Sequence, residues 1–137
     1  MIYTGVDIVH IPRLKNWPQY PPERLATFFG ASEIAYAGAH PGKAVTFLAS
    51  RFAVKEAFYK ALCSLCADLG HKHHFSIRAS ARWVEITHDP AWKNPILLFN
   101  RIAFEAATGI QLPLFSAQVS ISHEKEYAMA SVLMMRA

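Results

Sequence analysis

Ser50–Leu65, SRFAVKEAFYKALCSL, is the stretch on which the reading of the whole chain turns. Val54, Ala57, Phe58, Ala61, Leu62 and Leu65 recur at i, i+3, i+4 spacing, the apolar stripe of a helix. The pattern predicts a helix over residues 44–65. Glu56 and Lys60 stand four apart and share one face, roughly opposite the Phe58/Leu62/Leu65 stripe. Arg51 and Lys55 share a neighbouring face. The helix is therefore expected to present a carboxylate beside an ammonium, with two more cations at the rim. Taken alone, Glu56 and Lys60 are better explained as a solvated ion pair worth about 0.3 kcal/mol.

Moving toward the N-terminus, residues 2–9 (IYTGVDIV) are β-branched and apolar and read as a strand. Asp7 interrupts that apolar run. A half-buried carboxylate needs a cation, several donors or a metal. Gly5, on the same strand face, leaves room for a close approach. Two carboxylates with water suit Mg²⁺, which keeps waters while it binds a substrate phosphate; an arginine partner would satisfy Asp7 as well. Pro12, Pro18, Pro21 and Pro22 break the chain that follows. Pro22 is expected to start a helix in PPERLATFF that Gly30 ends, and Ser32 to cap a short helix over EIAYAGA.

On the C-terminal side, Cys66–His74 reads as a loop. Trp83–Thr87 and Ile96–Phe99 read as strands, with Asn94-Pro95 marking a turn. Asn100 is placed to cap a helix over RIAFEAAT, which Gly109 ends. Ala117–Ser122 and Tyr127–Met134 are the last strands, joined as a hairpin by His-Glu-Lys-Glu. The sum is an α+β fold, an antiparallel sheet packed with helices, expected as one domain over residues 1–137.

Composition narrows the function. The chain has 137 residues, which suits one core, and its 53% hydrophobic against 18% charged content points to a greasy core or to a subunit interface. A net charge of +4 favours anionic partners, namely nucleic acid, acidic proteins or phosphorylated small molecules. The basic residues form no run, which argues against a nucleic-acid arm. The first residues carry no signal-peptide pattern, no apolar run reaches a membrane span, and two cysteines make no disulfide framework, so a cytoplasmic location is expected. His123, closing Ser120-Ile121-Ser122-His123, can hydrogen-bond an anion, although such a histidine is more often structural. Cys63 and Cys66, with His71, His73 and His74, form a weak zinc pattern that lacks a properly spaced second pair.

Three segments together carry a resemblance. GVDIV near the N-terminus, RFAVKEAFYKAL in mid-chain and SISHEKEYAMASV near the C-terminus resemble the holo-acyl-carrier-protein synthase family of short 4′-phosphopantetheinyl transferases, in order and in separation. Weaker similarity reaches Ile11–Arg13 and Trp83–Ile86. The resemblance implies transfer of the 4′-phosphopantetheine arm of coenzyme A to a serine of an acyl carrier protein or related carrier domain. Asp7 and Glu56 would hold Mg²⁺, and Glu56 would double as base. Lys60 would contact the pyrophosphate of coenzyme A. Arg51 and His123 would contact its nucleotide end, His123 at the 3′-phosphate. Arg13 would face the acidic helix of the carrier. The family also implies a homotrimer with active sites between protomers, and involves neither membrane nor nucleic acid.

The chain departs from the family pattern in three places. Leu62-Cys63-Ser64-Leu65-Cys66 stands where a glycine-rich turn is usual, Lys93-Asn94-Pro95 where Gly-Lys-Pro is usual, and Glu124 where a small residue follows the histidine. Two alternatives follow: a member that binds coenzyme A and carrier without turnover, or a small zinc module built on Cys63 and Cys66.

Overall fold

Ile2–His10 form β1, whose alternation sends Tyr3, Gly5 and Val9 inward and leaves Ile2, Thr4, Val6 and Ile8 facing out. The computed structural model describes residues 1–72 and 75–137. β1 is followed by short 3₁₀ turns at Ile11–Leu14 and Trp17–Gln19, then by helices α1 (Pro22–Leu25), α2 (Ala31–Ala39) and α3 (Ala44–Asp68). Next come α4 (Ile77–Trp83), β2 (Val84–His88), β3 (Pro95–Phe99), α5 (Arg101–Thr108), β4 (Phe115–His123) and β5 (Tyr127–Arg136). β5 lies between β1 and β4 in one antiparallel sheet, and β2 pairs with β3 in a second.

α3 is the hub. Its 25 residues span about 38 Å at 1.5 Å per residue. It lies across the inner face of β1 and β5. The stripe read from the sequence, Val54 through Leu65, is fully buried. Phe58 meets Phe99, and an edge-to-face cluster of Phe75, Trp83 and Phe104 closes the core beneath the second sheet.

Other expectations hold closely. Asn100 Oδ1 accepts the Ala103 N–H at 3.0 Å, and Gly109 ends α5 with a left-handed φ of 72°. The hairpin β4–β5 is shorter in its connection than expected, because His123 still pairs with Ala128. Several expectations fail for local reasons. α1 stops at Leu25, since the Thr27 hydroxyl takes the Arg24 carbonyl and Phe28 and Phe29 turn in to pack. Gly30, not Ser32, caps α2: Glu33 reaches back to accept the Gly30 N–H at 2.9 Å, while Ser32 donates to Glu85. Cys66–Asp68 belong to α3 rather than to a loop, because Cys66 packs in the core at 2% exposure. α4 was not anticipated; Ser76 Oγ caps it through the Ala79 N–H.

Lys55 is the largest correction. Instead of standing at an exposed rim it is fully buried, because it continues the stripe that runs from Arg51 through Phe58. Its ammonium donates to the carbonyls of Ala81 (2.9 Å) and Val84 (2.7 Å) and pairs with Glu33 at 2.9 Å. One cation thus ties α3 to α2 and to the junction of α4 with β2.

Candidate active site

The close approach of β1 to α3 begins at Gly5. A Cβ there would stand 1.8 Å from the Ala57 carbonyl oxygen, so only glycine lets the two backbones meet. Two residues along, on the same face, Asp7 is then delivered to the turn of α3 that carries Glu56 and Lys60. Lys60 Nζ donates to the Val6 carbonyl at 2.8 Å and pairs with Asp7 Oδ1 at 3.2 Å. The Asp7 side chain is 11% exposed, yet its Oδ2 is buried without a hydrogen-bond partner among the described residues. Such an orphaned acceptor is costly unless a ligand completes it.

Glu56 is the second acid of this corner. Burial, then the neighbouring Asp7 carboxylate, push its carboxyl up to about 7 against the pull of Lys60 and Arg13. The two acids therefore converge, one with an open oxygen and one poised near neutrality. Among the described residues no group of three His, Cys, Asp or Glu side chains could hold a metal. A two-carboxylate corner fits Mg²⁺, which keeps most of its ligands as water and substrate oxygens, and it does not fit zinc.

Arg51 lies more than a turn earlier on α3 and lines a separate cleft of about 1120 Å³. Its guanidinium sits 4.4 Å from the Phe47 ring centroid, and its Nε has no partner among the described residues. Burial draws its pKa down, opposed by the charges of Glu33 and Tyr36. His123, at the end of β4, lines the same cleft from the sheet side, with Lys43, His88 and Lys93. Arg13 is exposed on its 3₁₀ turn and near enough to bear on Glu56. A second cleft, of about 460 Å³, has Glu56 on its rim, Trp17, Tyr20, Phe28, Phe52 and Ile77 among its walls, and Arg24 and Arg78 at its edge.

Asp7, Glu56 and Lys60 are thus brought together, Arg13 stands beside them, and Arg51 with His123 lines the neighbouring cleft. Sequence reasoning missed Glu33 and Lys55, which brace the wall of that cleft, and the cations of the β2–β3 turn. The only signal for Lys55 was its helical phase. The zinc pattern is not supported at its cysteines. Burial raises the Cys63 thiol, and burial with the Cys63 charge pushes Cys66 up to about 11, so both stay protonated. His73 and His74 lie outside the described residues.

An acid pair beside a lysine, at the edge of a cation-lined cleft of nucleotide size, defines a protein that handles a phosphorylated ligand. Comparison with known proteins gives that class its family. The sequence profile described as the 4′-phosphopantetheinyl transferase superfamily matches residues 3–130. A holo-[acyl-carrier-protein] synthase of Moorella thermoacetica is 36% identical over 135 residues, 97% of this chain and 93% of that protein. Among solved structures, a "Chronobacterium ammoniagenes ACPS-CoA complex" superposes with a TM-score of 0.76 at 26% identity, covering 100% of this chain and 98% of the other. A Bacillus anthracis holo-(acyl-carrier-protein) synthase "in complex with CoA (3′,5′-ADP)" gives 0.68 at 26% identity over 98% and 96%. The chain belongs to the 4′-phosphopantetheinyl transferase superfamily, and within it to the holo-[acyl-carrier-protein] synthases.

Proposed function

We propose that this chain transfers the 4′-phosphopantetheine arm of coenzyme A to a serine of an acyl carrier protein or related carrier domain, with Mg²⁺ held by Asp7 and Glu56 and 3′,5′-ADP released. The observation that carries this reading is the convergence of Asp7, Glu56 and Lys60 on one half-buried corner between β1 and α3. The solved relatives described as bound to coenzyme A support it as the donor.

The metal, when bound, would offset charge on the phosphoryl oxygens. The chain's own groups supply the rest. Lys60, held between Asp7 and the Val6 carbonyl, neutralises charge that develops on the departing phosphate oxygen. Glu56, directly or through a bound water, accepts the serine proton as the new O–P bond forms and the pyrophosphate P–O bond breaks. Arg51 and His123 hold the nucleotide end in the larger cleft, His123 at the 3′-phosphate. With the leaving nucleotide there, an in-line attack brings the serine from the far side of Glu56. Glu56 also borders the aromatic second cleft together with Arg24 and Arg78, and Arg13 bears on it, so these cations stand where a carrier could approach. Their charge suits the acidic helix of a carrier.

The outer face of the main sheet supports a homotrimer. Ile2, Val6 and Ile8 on β1 and Met129 and Met135 on β5 are between 43% and 61% exposed, an apolar stripe that a subunit contact would cover. No helix among the described residues is long and apolar enough to cross a membrane. Two free cysteines suit a reducing cytoplasm.

The test is to incubate the protein with MgCl₂, coenzyme A and an apo carrier protein and to weigh the carrier. The expected result is a gain of one phosphopantetheine per carrier, with 3′,5′-ADP in equal amount. Coenzyme A binding without that gain would leave only a binding protein.

A further inference from the structure

The turn between β2 and β3 is tightly pinned. The Asp89 N–H donates to the Asn94 carbonyl and the Lys93 N–H to the Asp89 carbonyl, both at 2.9 Å. Asp89 Oδ1 accepts the N–H groups of Ala91 and Trp92 at 2.9 and 2.7 Å. This geometry forces Lys93 to a φ of 61°; it is the one non-glycine among the described residues with a positive φ. Glycine would take this conformation freely, whereas a residue with a Cβ is strained there. Strain retained at a cleft wall is a pointer to function.

The side chain so placed has work available. Lys93 lines the Arg51 cleft, is exposed, and has no side-chain hydrogen bond or ion pair among the described residues. His88, at the end of β2, lines the same wall. Its imidazole is pushed down by burial and then by the charges of Arg51 and Lys93, which places it within reach of both cations as a neutral donor that an anion would help to charge. Glu33 is the sole carboxylate among the residues lining the cleft; its Oε1 meets Lys55 and the Gly30 N–H, while its Oε2 has no partner among the described residues. With Lys43, Arg51 and Lys93 against this one carboxylate, which is buried against Lys55, the cleft carries an excess of positive charge suited to an anion. The pyrophosphate contact, Lys60, does not line this cleft. The anion taken here is therefore a different phosphate of the ligand.

We propose that Lys93, with His88, forms a second arm of this cleft that grips the ribose phosphomonoester of the nucleotide ligand, in addition to Arg51 and His123. The inference rests on the transferase reading, and it deepens that reading by assigning two specificity-determining residues outside the motif segments. It predicts discrimination between nucleotides with and without the 3′-phosphate.

The test is calorimetric titration of the whole protein with 3′,5′-ADP and with 5′-AMP, in wild type, Lys93→Gly and His88→Gln. Lys93→Gly is expected to weaken 3′,5′-ADP about tenfold, the loss of one charge-assisted contact, and to leave 5′-AMP unchanged. Because glycine suits the left-handed turn, its thermal midpoint should not fall. His88→Gln should weaken 3′,5′-ADP by about threefold, as befits a histidine only partly charged at neutral pH. A Lys93→Gly protein that binds 3′,5′-ADP as tightly as wild type, or loses both nucleotides equally, would overturn the inference. If carrier modification still proceeds in wild type under that outcome, the transferase reading stands and only the assignment of Lys93 and His88 fails. Wild type that neither binds 3′,5′-ADP nor modifies the carrier would overturn both.

Discussion

α3 contributes to two charged groups, one around Lys55 and one around Glu56 and Lys60, and they are treated in opposite ways. Lys55 with Glu33 is sealed from water, and its ammonium has three acceptors within 2.9 Å. Asp7, Glu56 and Lys60 form a corner in which one oxygen is orphaned, one carboxyl is pushed up to about 7 and one ammonium is half exposed. The same residue types are present in both. What separates them is access: Lys55 and Glu33 are sealed at 0% and 1% exposure and brace the fold even with Glu33 Oε2 unpaired, whereas the other corner, with Lys60 52% exposed, is open to a ligand.

That contrast can be broken first at the open corner. Asp7→Ala and Glu56→Ala should each lower carrier modification by about a thousandfold or more while the fold survives, since each removes groups acting on the phosphoryl oxygens. Full activity in either variant, measured by carrier mass, would remove the role assigned to it. At the sealed pair the effect should fall on stability. Lys55→Met strands Glu33 and should lower the thermal midpoint on the order of 10 °C, the cost of breaking a buried ion pair. An unchanged midpoint would make Lys55 something other than a brace.

A third, smaller effect follows from Glu56. Its folded carboxyl is raised from near 4.5 to about 7, so between those values the folded protein holds a proton that the unfolded chain has released. Stability of the metal-free protein should therefore be highest below the unfolded value and fall as pH rises toward 7. Denaturant melts across that window should show the fall, and Glu56→Gln should flatten it. An identical slope in that variant would trace the effect to another group. The smallest change is at the surface. Arg13→Glu should weaken carrier binding by about tenfold at low salt and coenzyme A binding far less, with the gap narrowing as salt rises. Equal loss of both ligands would contradict a carrier-facing role.

The sequence was most legible where the information is local. The stripe of α3, the Asn100 cap, the Gly109 stop and the alternating strands follow from neighbours a few residues away. Asp7, Glu56 and Lys60 were legible as odd residues in regular patterns, although their meeting depends on Gly5 letting β1 onto α3, a contact across more than fifty positions. What stayed hidden was settled by distant packing. Glu33 left its own surface to meet Lys55, Phe28 and Phe52 stacked to cut α1 short, and the β2–β3 turn reached the Arg51 cleft only once the second sheet had docked.

The most direct trial of the account is anomalous diffraction from crystals grown with MnCl₂ and coenzyme A. A single manganese peak bonded to carboxylate oxygens of both Asp7 and Glu56, with a coenzyme phosphate beside it, is the expected result. A cation bound elsewhere, or those two carboxylates pointing apart with the coenzyme in place, would contradict it.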